Sequence, residues 1–526
     1  MTLSDAQDDQ TGTGRVVSPD SRATRAGQEV LAAGGTAADA VIATGAVLCV
    51  VSPHMVTIGG DSWTLAGPAD GEIVAINGTG RAPAGLTPDL LRALGHQAMP
   101  GSGVHSISVP GLPSAWAELH ARFGRIPFAE LLAPAIAYAR DGATVAPSLA
   151  RDLVDYGSRL VRDPGARPLF FTADGFPLTE GDTYVQSALA GSLEALAAEG
   201  VGALYGGEVG AAYARGLAIH GGSMTRDDLS RHRADVLPPL AGRWRDAEVL
   251  TAPPNSQGFA LLKMLALADE LGLTDPLAAE QAVAFVRLLD LAGAQRDARS
   301  ADPEAVAVDL AAVLDAAVVR RDAGTLGRAP VPATGPPPRL DGDTIGIAAA
   351  DGEGLWISSL QSVAGTFGSL VLEPTTGIIG HNRASGFSLD PARPNLLAGG
   401  RRPPHTLMPC LVRRAGRVVA TVATMGGRSQ PAIAAQLITR LSLGQSAEQA
   451  IDAPRYVVTP ATGPGGGPEV LVEATAPGDV RDTLVATFGA EVITGPENRF
   501  GHAHLIRATS DGTLDAATDP RADGRG

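Results

Sequence analysis

The start of the chain carries an apolar run that predicts a buried helix. Residues 37–51 are almost wholly apolar and follow Thr36, which predicts an N-capped helix packed against the centre of the fold. Residues 21–33 predict a shorter helix with a serine cap and a stop at Gly34 and Gly35. Both helices are expected to precede the first strands.

The rest of the first half mixes short strands with a long helical region. Strands are expected at 63–66 and 75–77, and apolar stripes over 114–285 predict mostly helices. Gly59 and Gly60 stand at the turn into the first strand, where their spacing fits no phosphate-binding loop, so we assign them to close backbone packing.

The second half of the chain is predicted to alternate between strands and helices. Residues 345–350 and 355–360 are apolar runs on either side of Asp-Gly-Glu-Gly, which is typical of a hairpin of two core strands. Residues 407–412 and 418–424 predict two more strands, and residues 432–443 predict a helix.

A glycine pair lies between the last of these strands and its helix. Gly426 and Gly427 place two consecutive N–H groups, with no side chain in the way, where the helix dipole favours negative charge. This junction is a candidate oxyanion hole.

The hairpin begins at a candidate cleavage site. Residues 324–343 contain five prolines and no apolar periodicity, which predicts an exposed, flexible segment that ends on Asp343 and Thr344. If the bond between them is cut, Thr344 gains an α-amine with a pKa near about 8 beside its own hydroxyl. One residue can then act as nucleophile and base.

These motifs resemble the γ-glutamyltransferase superfamily of N-terminal-nucleophile hydrolases, in which a proenzyme cuts itself before a catalytic threonine. Thr344, Asp351 and Phe367-Gly368 have the spacing of that family. The similarity covers nearly the whole chain and continues through Arg81-Ala-Pro83, Asn255-Ser-Gln257-Gly258, His381-Asn-Arg383, Arg402-Pro-Pro-His405-Thr406, Met425-Gly426-Gly427, Asp452-Ala-Pro-Arg455 and Asp519-Pro-Arg521.

The resemblance implies both an architecture and roles for several residues. The implied fold is α+β, a four-layer αββα sandwich with two antiparallel sheets between helical layers. Thr344 would be the nucleophile, Ser362 would support it with a hydroxyl, Gly426 and Gly427 would hold the oxyanion, and Asp351 would order the hairpin.

The family's glutamate-binding residues are missing. The positions that hold the zwitterion in true γ-glutamyl enzymes carry Thr79, Ala364, Arg383, Gly386 and the pair His405-Thr406 in this sequence. Losing several charge-assisted contacts would lower glutamyl recognition by orders of magnitude.

The residues that replace this clamp suggest a different acyl group. Arg81, Arg383, His405 and Thr406 are cationic or hydroxyl donors, and they suit a short acid whose carboxylate lies close to the scissile carbonyl. This pattern resembles the branch of oxamate amidohydrolase and cephalosporin-acylase-like proteins. We therefore expect hydrolysis of an oxalyl-like amide.

Three alternatives remain open. The same nucleophile could hydrolyse a C–C bond to remove an oxalyl unit in natural-product biosynthesis, or the chain could be a γ-glutamyl hydrolase or transferase. It could also be an unprocessed binding protein, since Gly346 stands where relatives usually carry a larger side chain.

Composition limits the partners. The 526 residues are 44% hydrophobic and carry a net charge of -15, which disfavours nucleic acid and supports a full core. Cys49 and Cys410 lie in apolar runs and are expected to be core residues, and the two histidines at 502 and 504 are too few for a metal site. We expect no cofactor, no metal, a small-molecule substrate, no membrane partner and a cytoplasmic location.

The expected organisation is two chains in one fold. Residues 1–14 would be a disordered N-terminus, 15–343 a large subunit and 344–526 a small one. The two processed chains would stay associated as a heterodimer, and such heterodimers could pair again.

Overall fold

A computed structural model describes residues 14–326, 343–459, 469–495 and 498–524. The predicted disordered N-terminus and the predicted flexible segment before Thr344 fall mostly outside these residues, which exclude 1–13 and 327–342.

Nineteen strands are present in the described part of the chain. In chain order they are β1 Arg15–Val17, β2 Asp61–Pro68, β3 Val74–Gly78, β4 Ala143–Thr144, β5 Thr183–Tyr184, β6 Asp235–Leu237, β7 Leu240–Trp244, β8 Ala247–Thr251, β9 Asp343–Ala350, β10 Leu355–Ala364, β11 Leu372–Glu373, β12 Ile378–Ile379, β13 Cys410–Arg414, β14 Arg417–Thr424, β15 Tyr456–Thr459, β16 Glu469–Glu473, β17 Glu491–Ile493, β18 Ala503–Ala508 and β19 Leu514–Thr518.

Eighteen α-helices accompany them in the same described ranges. They are α1 Ser21–Ala32, α2 Ala37–Val51, α3 Pro88–Ala93, α4 Leu112–Phe123, α5 Phe128–Asp141, α6 Pro147–Leu160, α7 Ala166–Phe170, α8 Ser187–Glu199, α9 Gly202–Tyr205, α10 Glu208–Ile219, α11 Arg226–Arg231, α12 Gly258–Glu270, α13 Ala279–Arg299, α14 Ala311–Leu314, α15 Ala316–Ala323, α16 Gln430–Ser442, α17 Ala447–Asp452 and α18 Gly478–Phe488. Four 3₁₀ turns complete the described elements, at Val104–Ser106, Arg383–Gly386, Gly427–Ser429 and Asn498–Phe500.

Two six-stranded antiparallel sheets form the middle of the protein. The first has the order β1-β9-β10-β2-β3-β6, and the second has the order β19-β18-β14-β13-β8-β7. Strands β9 and β10 of the first sheet pack on β14 of the second. Buried side chains from both inner faces, including Trp63, Leu360 and Leu411, fill the space between them.

Helices cover the two outer faces. α2 and α4 pack on the first sheet, and α12 and α16 pack on the second. The predicted four-layer α+β architecture is therefore confirmed. Every residue of α2 is buried, as its all-round apolar sequence predicts.

The caps of the first two helices differ in how well the sequence predicts them. Thr36 and Asp39 form the capping box of α2, so the expected Thr36 cap is confirmed. The predicted serine cap of the first helix is wrong, because the Asp20 carboxylate accepts the Arg22 N–H and takes that position instead. Cys49 and Cys410 are both buried and unpaired, as expected.

Two strands inside the region predicted to be mostly helical belong to the second sheet. β7 and β8 pair with each other, and β8 also pairs with β13. β7 lies at the sheet edge, and only Trp244 of its five residues is fully buried, which explains why its hydrophobic pattern is faint.

The described residues contain no helix that is both long and apolar enough to span a membrane.

Gly346 on β9 lies close to the backbone of β14 in the second sheet. A Cβ atom at this position would stand 2.8 Å from the Ala423 carbonyl oxygen and 3.1 Å from the Ala423 side chain. Because backbone on the opposite sheet cannot retreat easily, the glycine is required by packing. A larger residue would need a wider gap between the sheets, so the glycine itself does not argue for an inactive protein.

We expect Gly346→Ala to lower the free energy of unfolding by about 1–3 kcal/mol through overpacking. Gly191 in α8 is the matched control, since nothing lies within 4 Å of a Cβ at that position. Gly191→Ala is expected to be neutral or stabilising. Equal denaturant midpoints for the two variants would contradict the packing argument.

Candidate active site

Thr344 lies at the buried start of β9, beside an irregularity in the neighbouring strand. Only 1% of the residue is exposed. Ile345 pairs with Gln361 on β10, but Asp343 pairs with Ala364, so the register shifts by a bulge between the two positions. Bulges re-aim side chains and often lie next to active sites. Here the bulge lies directly opposite the Asp343–Thr344 bond.

Ser362 occupies the bulge and contacts both sides of that bond. Its hydroxyl donates to the Asp343 carbonyl oxygen at 2.7 Å and accepts from the Thr344 hydroxyl at 3.2 Å. The Ala364 N–H donates to the same Ser362 oxygen at 2.8 Å. The structure therefore brings together Thr344 and Ser362, the residue to which the family resemblance gave a supporting role.

Arg383 connects this pair to Thr406. Its Nη2 donates to the Ser362 hydroxyl at 3.3 Å, and its Nη1 donates to the Thr406 hydroxyl at 2.9 Å. The guanidinium is 1% exposed, and the remaining nitrogen, Nε, faces the Asp61 carboxylate at 3.3 Å. Arg383 is thus one hydrogen bond, and Thr406 two hydrogen bonds, away from the Ser362 hydroxyl that contacts Thr344.

Asp61 is the centre of a buried polar cluster. Its Oδ2 atom lies 2.6 Å from His405 Nε2 and 3.2 Å from His381 Nδ1, in addition to the contact with Arg383. Burial alone would raise the pKa of Asp61, but its interactions with His405, Arg383 and His381 outweigh burial and hold that pKa well below its usual range. Asp61 is therefore an anion at neutral pH.

His405 is a neutral residue in this cluster, which corrects its predicted role as a cationic substrate ligand. Its Nδ1 accepts the Leu407 N–H at 3.2 Å, so the ring proton is assigned to Nε2, which donates to Asp61. Burial, together with the nearby charge of Arg383, lowers the pKa of His405 to about 4. Both ring nitrogens are occupied by protein partners.

The glycine pair lies at the junction between β14 and α16, as predicted. Gly426 has a φ of 124°, which L-residues with side chains rarely adopt, and Gly427 opens a short 3₁₀ turn. Neither Gly426 N–H nor Gly427 N–H has a hydrogen-bond acceptor among the described residues. Two adjacent free N–H groups are what an oxyanion site requires.

Gln257 links the glycine pair to the Thr344 network. Its Nε2 donates to the Gly427 carbonyl at 2.8 Å and to the Thr406 carbonyl at 2.6 Å. Arg296 fixes the other end of the side chain by donating to Gln257 Oε1 at 3.0 Å. A continuous set of contacts therefore runs from Thr344 to Gly427.

Within the described ranges, Arg81 and Asp351 do not take part in the hydrogen bonds that connect Thr344, Ser362, Arg383 and Thr406. Arg81 pairs with Glu304 at 2.7 Å and donates to the Gly400 carbonyl, and in the described part of the chain it forms no hydrogen bond with Thr344, Ser362, Arg383 or Thr406. Asp351 accepts N–H groups of its own hairpin and the Ala37 N–H at the start of α2. It therefore orders the hairpin and ties it to α2.

Asp61 is a site residue that sequence reasoning did not select. The sequence signal that could have pointed to Asp61 is the Gly59-Gly60 pair directly before it. In the structure, a Cβ on Gly60 would lie 2.5 Å from the Ser362 carbonyl oxygen. The predicted close packing of these glycines is confirmed, and it brings β2 against the bulge. Asp61 is consequently the direct cross-strand partner of Ser362.

A family model described as gamma-glutamyltranspeptidase matches residues 23–526. The chain belongs to this family. Members of the gamma-glutamyltranspeptidase family with similar sequences include the glutathione hydrolase-like YwrD proenzyme of Bacillus subtilis and the oxamate amidohydrolase proenzyme of Klebsiella pneumoniae. Each is 33% identical over 519 residues, with 97% of both chains covered.

A solved structure has the same overall fold as this chain. The cephalosporin acylase of Bacillus halodurans superposes with a TM-score of 0.89 at 29% identity, covering 100% of this chain and 99% of that one. The protein is therefore an enzyme of the gamma-glutamyltranspeptidase family, with the N-terminal-nucleophile hydrolase fold.

Proposed function

We propose that the chain cuts itself before Thr344 and then hydrolyses amides of a short, oxalyl-like acid through an ester on Thr344. The observation that carries this proposal is the position of Ser362, whose hydroxyl contacts the Asp343 carbonyl oxygen and the Thr344 hydroxyl together. These are the electrophile and the nucleophile of the cleavage reaction.

Self-cleavage needs an attack on the Asp343 carbonyl carbon by Thr344 Oγ1. The Ser362 hydroxyl donates to the oxygen on which negative charge develops, which stabilises the tetrahedral species. The C–N bond then breaks, the nitrogen takes a proton and becomes the Thr344 α-amine, and Asp343 is left as an ester on Thr344. Water hydrolyses that ester and releases the Asp343 carboxylate.

The same groups serve the hydrolysis of a substrate. The α-amine takes the Thr344 hydroxyl proton, and Oγ1 attacks the amide carbonyl of the substrate. The Gly426 and Gly427 N–H groups hold the oxyanion, the leaving amine departs with a proton, and water cleaves the acyl ester.

Arg383 favours a short acyl group that ends in a carboxylate. A guanidinium carries five N–H donors, and Arg383 uses one on each of Asp61, Ser362 and Thr406. Two N–H donors remain, one on Nη1 and one on Nη2, and Nη2 is the nitrogen that contacts Ser362. A carboxylate bonded directly to the scissile carbonyl would lie within their reach, and an oxamate amidohydrolase is among the relatives.

The two products are residues up to 343 and residues 344–526. β9 begins at Asp343 and is flanked on both sides by strands of the first sheet, which supports continued association of the two chains.

Intact mass of the purified protein, with N-terminal sequencing of any smaller piece, tests the cleavage. We expect a new terminus at Thr344. Release of aniline from the anilide of oxalic acid, beside a γ-glutamyl anilide, tests the substrate. A protein that is cut at Thr344 but prefers the γ-glutamyl compound would contradict the oxalyl assignment, and an uncut inert chain would contradict both.

Ser362→Ala is expected to slow self-cleavage by about 10²–10³-fold, the usual effect of removing one donor to a developing oxyanion. Band intensities on denaturing gels over time give the rate. Ser358→Ala is the matched control on β10, because Ser358 donates to the Val422 carbonyl instead. Equal rates for the two variants would remove Ser362 from the mechanism.

A further inference from the structure

Asp61 is a fully buried carboxylate that neither cleavage nor hydrolysis uses directly. It opens β2 opposite Ser362, with β10 between it and Thr344 on β9, and its exposed fraction is 0%. A buried carboxylate beside a nucleophile is costly unless it is paired. We therefore ask what Asp61 does to the side chains that it contacts, of which Arg383 lies next to Ser362 and Thr406.

The permanent cation beside Asp61 is Arg383. His405 donates to Asp61 but is neutral, and Arg383 Nε lies 3.3 Å from the same oxygen. The charge that Arg383 brings into the acyl pocket is therefore largely cancelled by a charge on the side of the guanidinium away from Ser362 and Thr406.

The same contact fixes the plane of the guanidinium. With Nε held by Asp61, the two Nη atoms are directed toward Ser362 and Thr406, where an acyl group would lie. Asp61 thus acts on the substrate through Arg383, both by orientation and by charge.

We propose that Asp61 is a positioning residue that sets the charge selectivity of the acyl pocket. Its carboxylate offsets the positive charge of Arg383 while leaving the guanidinium N–H donors available, so that the pocket accepts a carboxylate without holding it too tightly. This inference rests on the proposed function, because it takes Arg383 as the residue that meets the acyl group.

Asp61→Asn tests the proposal. Asparagine keeps an oxygen for Arg383 and His405 but removes the negative charge. The measured quantity is the ratio of kcat/KM for the anilide of oxalic acid, which is anionic, to kcat/KM for its neutral carboxamide isostere. We expect the ratio to rise at least about tenfold, since an uncompensated buried guanidinium attracts an anion more strongly. KM of the anionic substrate should fall more than KM of the neutral one.

A purely structural role predicts a different result. If Asp61 only stabilises the fold, both substrates lose the same factor and the ratio stays constant. A constant or lower ratio in a correctly cleaved Asp61→Asn protein overturns the proposal. A wild-type protein that hydrolyses neither anilide contradicts the proposed function instead, so the two failures are distinguishable.

Arg383→Gln is the reciprocal variant, and it decides the matter if Asp61→Asn does not fold. It leaves the Asp61 carboxylate without its cation, so the pocket should favour an acyl group with an ammonium. We expect glycine anilide to gain at least about tenfold relative to the neutral carboxamide isostere. No gain overturns the proposal, and so does failure of both variants to fold, which would make the pair a requirement of folding.

Discussion

Thr344→Ala is expected to yield one uncut chain with hydrolysis at background. The hydroxyl that contacts Ser362 is the nucleophile in both proposed reactions, and alanine has no group to replace it. Removing the nucleophile of a covalent hydrolase costs about 10⁴-fold or more in rate. Intact mass and aniline release measure the two effects on one preparation.

Thr344→Ser is the control for that variant. Serine keeps the hydroxyl and the α-amine, so it should still be cut and should retain measurable activity. An alanine variant that is still cut at the same bond would show that another residue is the nucleophile. An uncut but fully active alanine variant would separate maturation from catalysis.

Asp519→Ala is expected to be the most destabilising of the variants considered. Asp519 pairs with Arg455 at 2.6 Å, and both side chains are completely buried. Removing one member of such a pair leaves an uncompensated buried charge, which costs about 3–5 kcal/mol. The variant also removes the acceptor of the Ala503 N–H at the start of β18. Denaturant unfolding in the uncut Thr344→Ala background measures the loss.

Asp70→Ala is the matched control for a charge that is not buried. Asp70 faces Arg417 at 3.7 Å with most of both side chains exposed, and such pairs contribute about 0–1 kcal/mol. Similar unfolding midpoints for Asp519→Ala and Asp70→Ala would contradict the importance of the buried pair.

The buried pair also has a pH signature. Burial opposes ionisation of Asp519, but Arg455, Arg521 and His502 outweigh it and depress its pKa. A depressed folded pKa stabilises the protein above the unfolded pKa of about 4, and this stabilisation is lost as pH falls below that value. Asp519→Asn should therefore have a flatter stability profile than the parent between about pH 4 and pH 2.

The sequence predicts the parts of the site that depend on local chain order. The hairpin, the cleavage bond, the glycine pair and the Ser362 position follow from turn chemistry and from family spacing. Each of these features requires only neighbouring residues or a fixed number of intervening positions.

Long-range charge balance is what the sequence leaves undetermined. Arg383 and His405 are visible as basic residues, but Asp61 is more than 300 positions away, so nothing local indicates that one carboxylate contacts both of them. Arg81 was predicted from its local sequence to bind the substrate carboxylate, but in the structure it forms an ion pair with Glu304, which is distant in sequence. The need for glycine at position 346 comes from Ala423, which lies opposite it on β14 and about 80 positions later in the chain.

The pairing of β1 with β9 has a thermodynamic consequence for the mature protein. β1 and β2 belong to the piece before the cleavage bond, whereas β10 and β9 from Thr344 onward belong to the piece after it. β1 pairs with β9, and β2 pairs with β10. Once the bond is cut, the two chains share one hydrogen-bonded sheet, so complete unfolding is also a dissociation. The unfolding midpoint of the cut protein should then rise with its concentration, whereas that of the uncut Thr344→Ala protein should not.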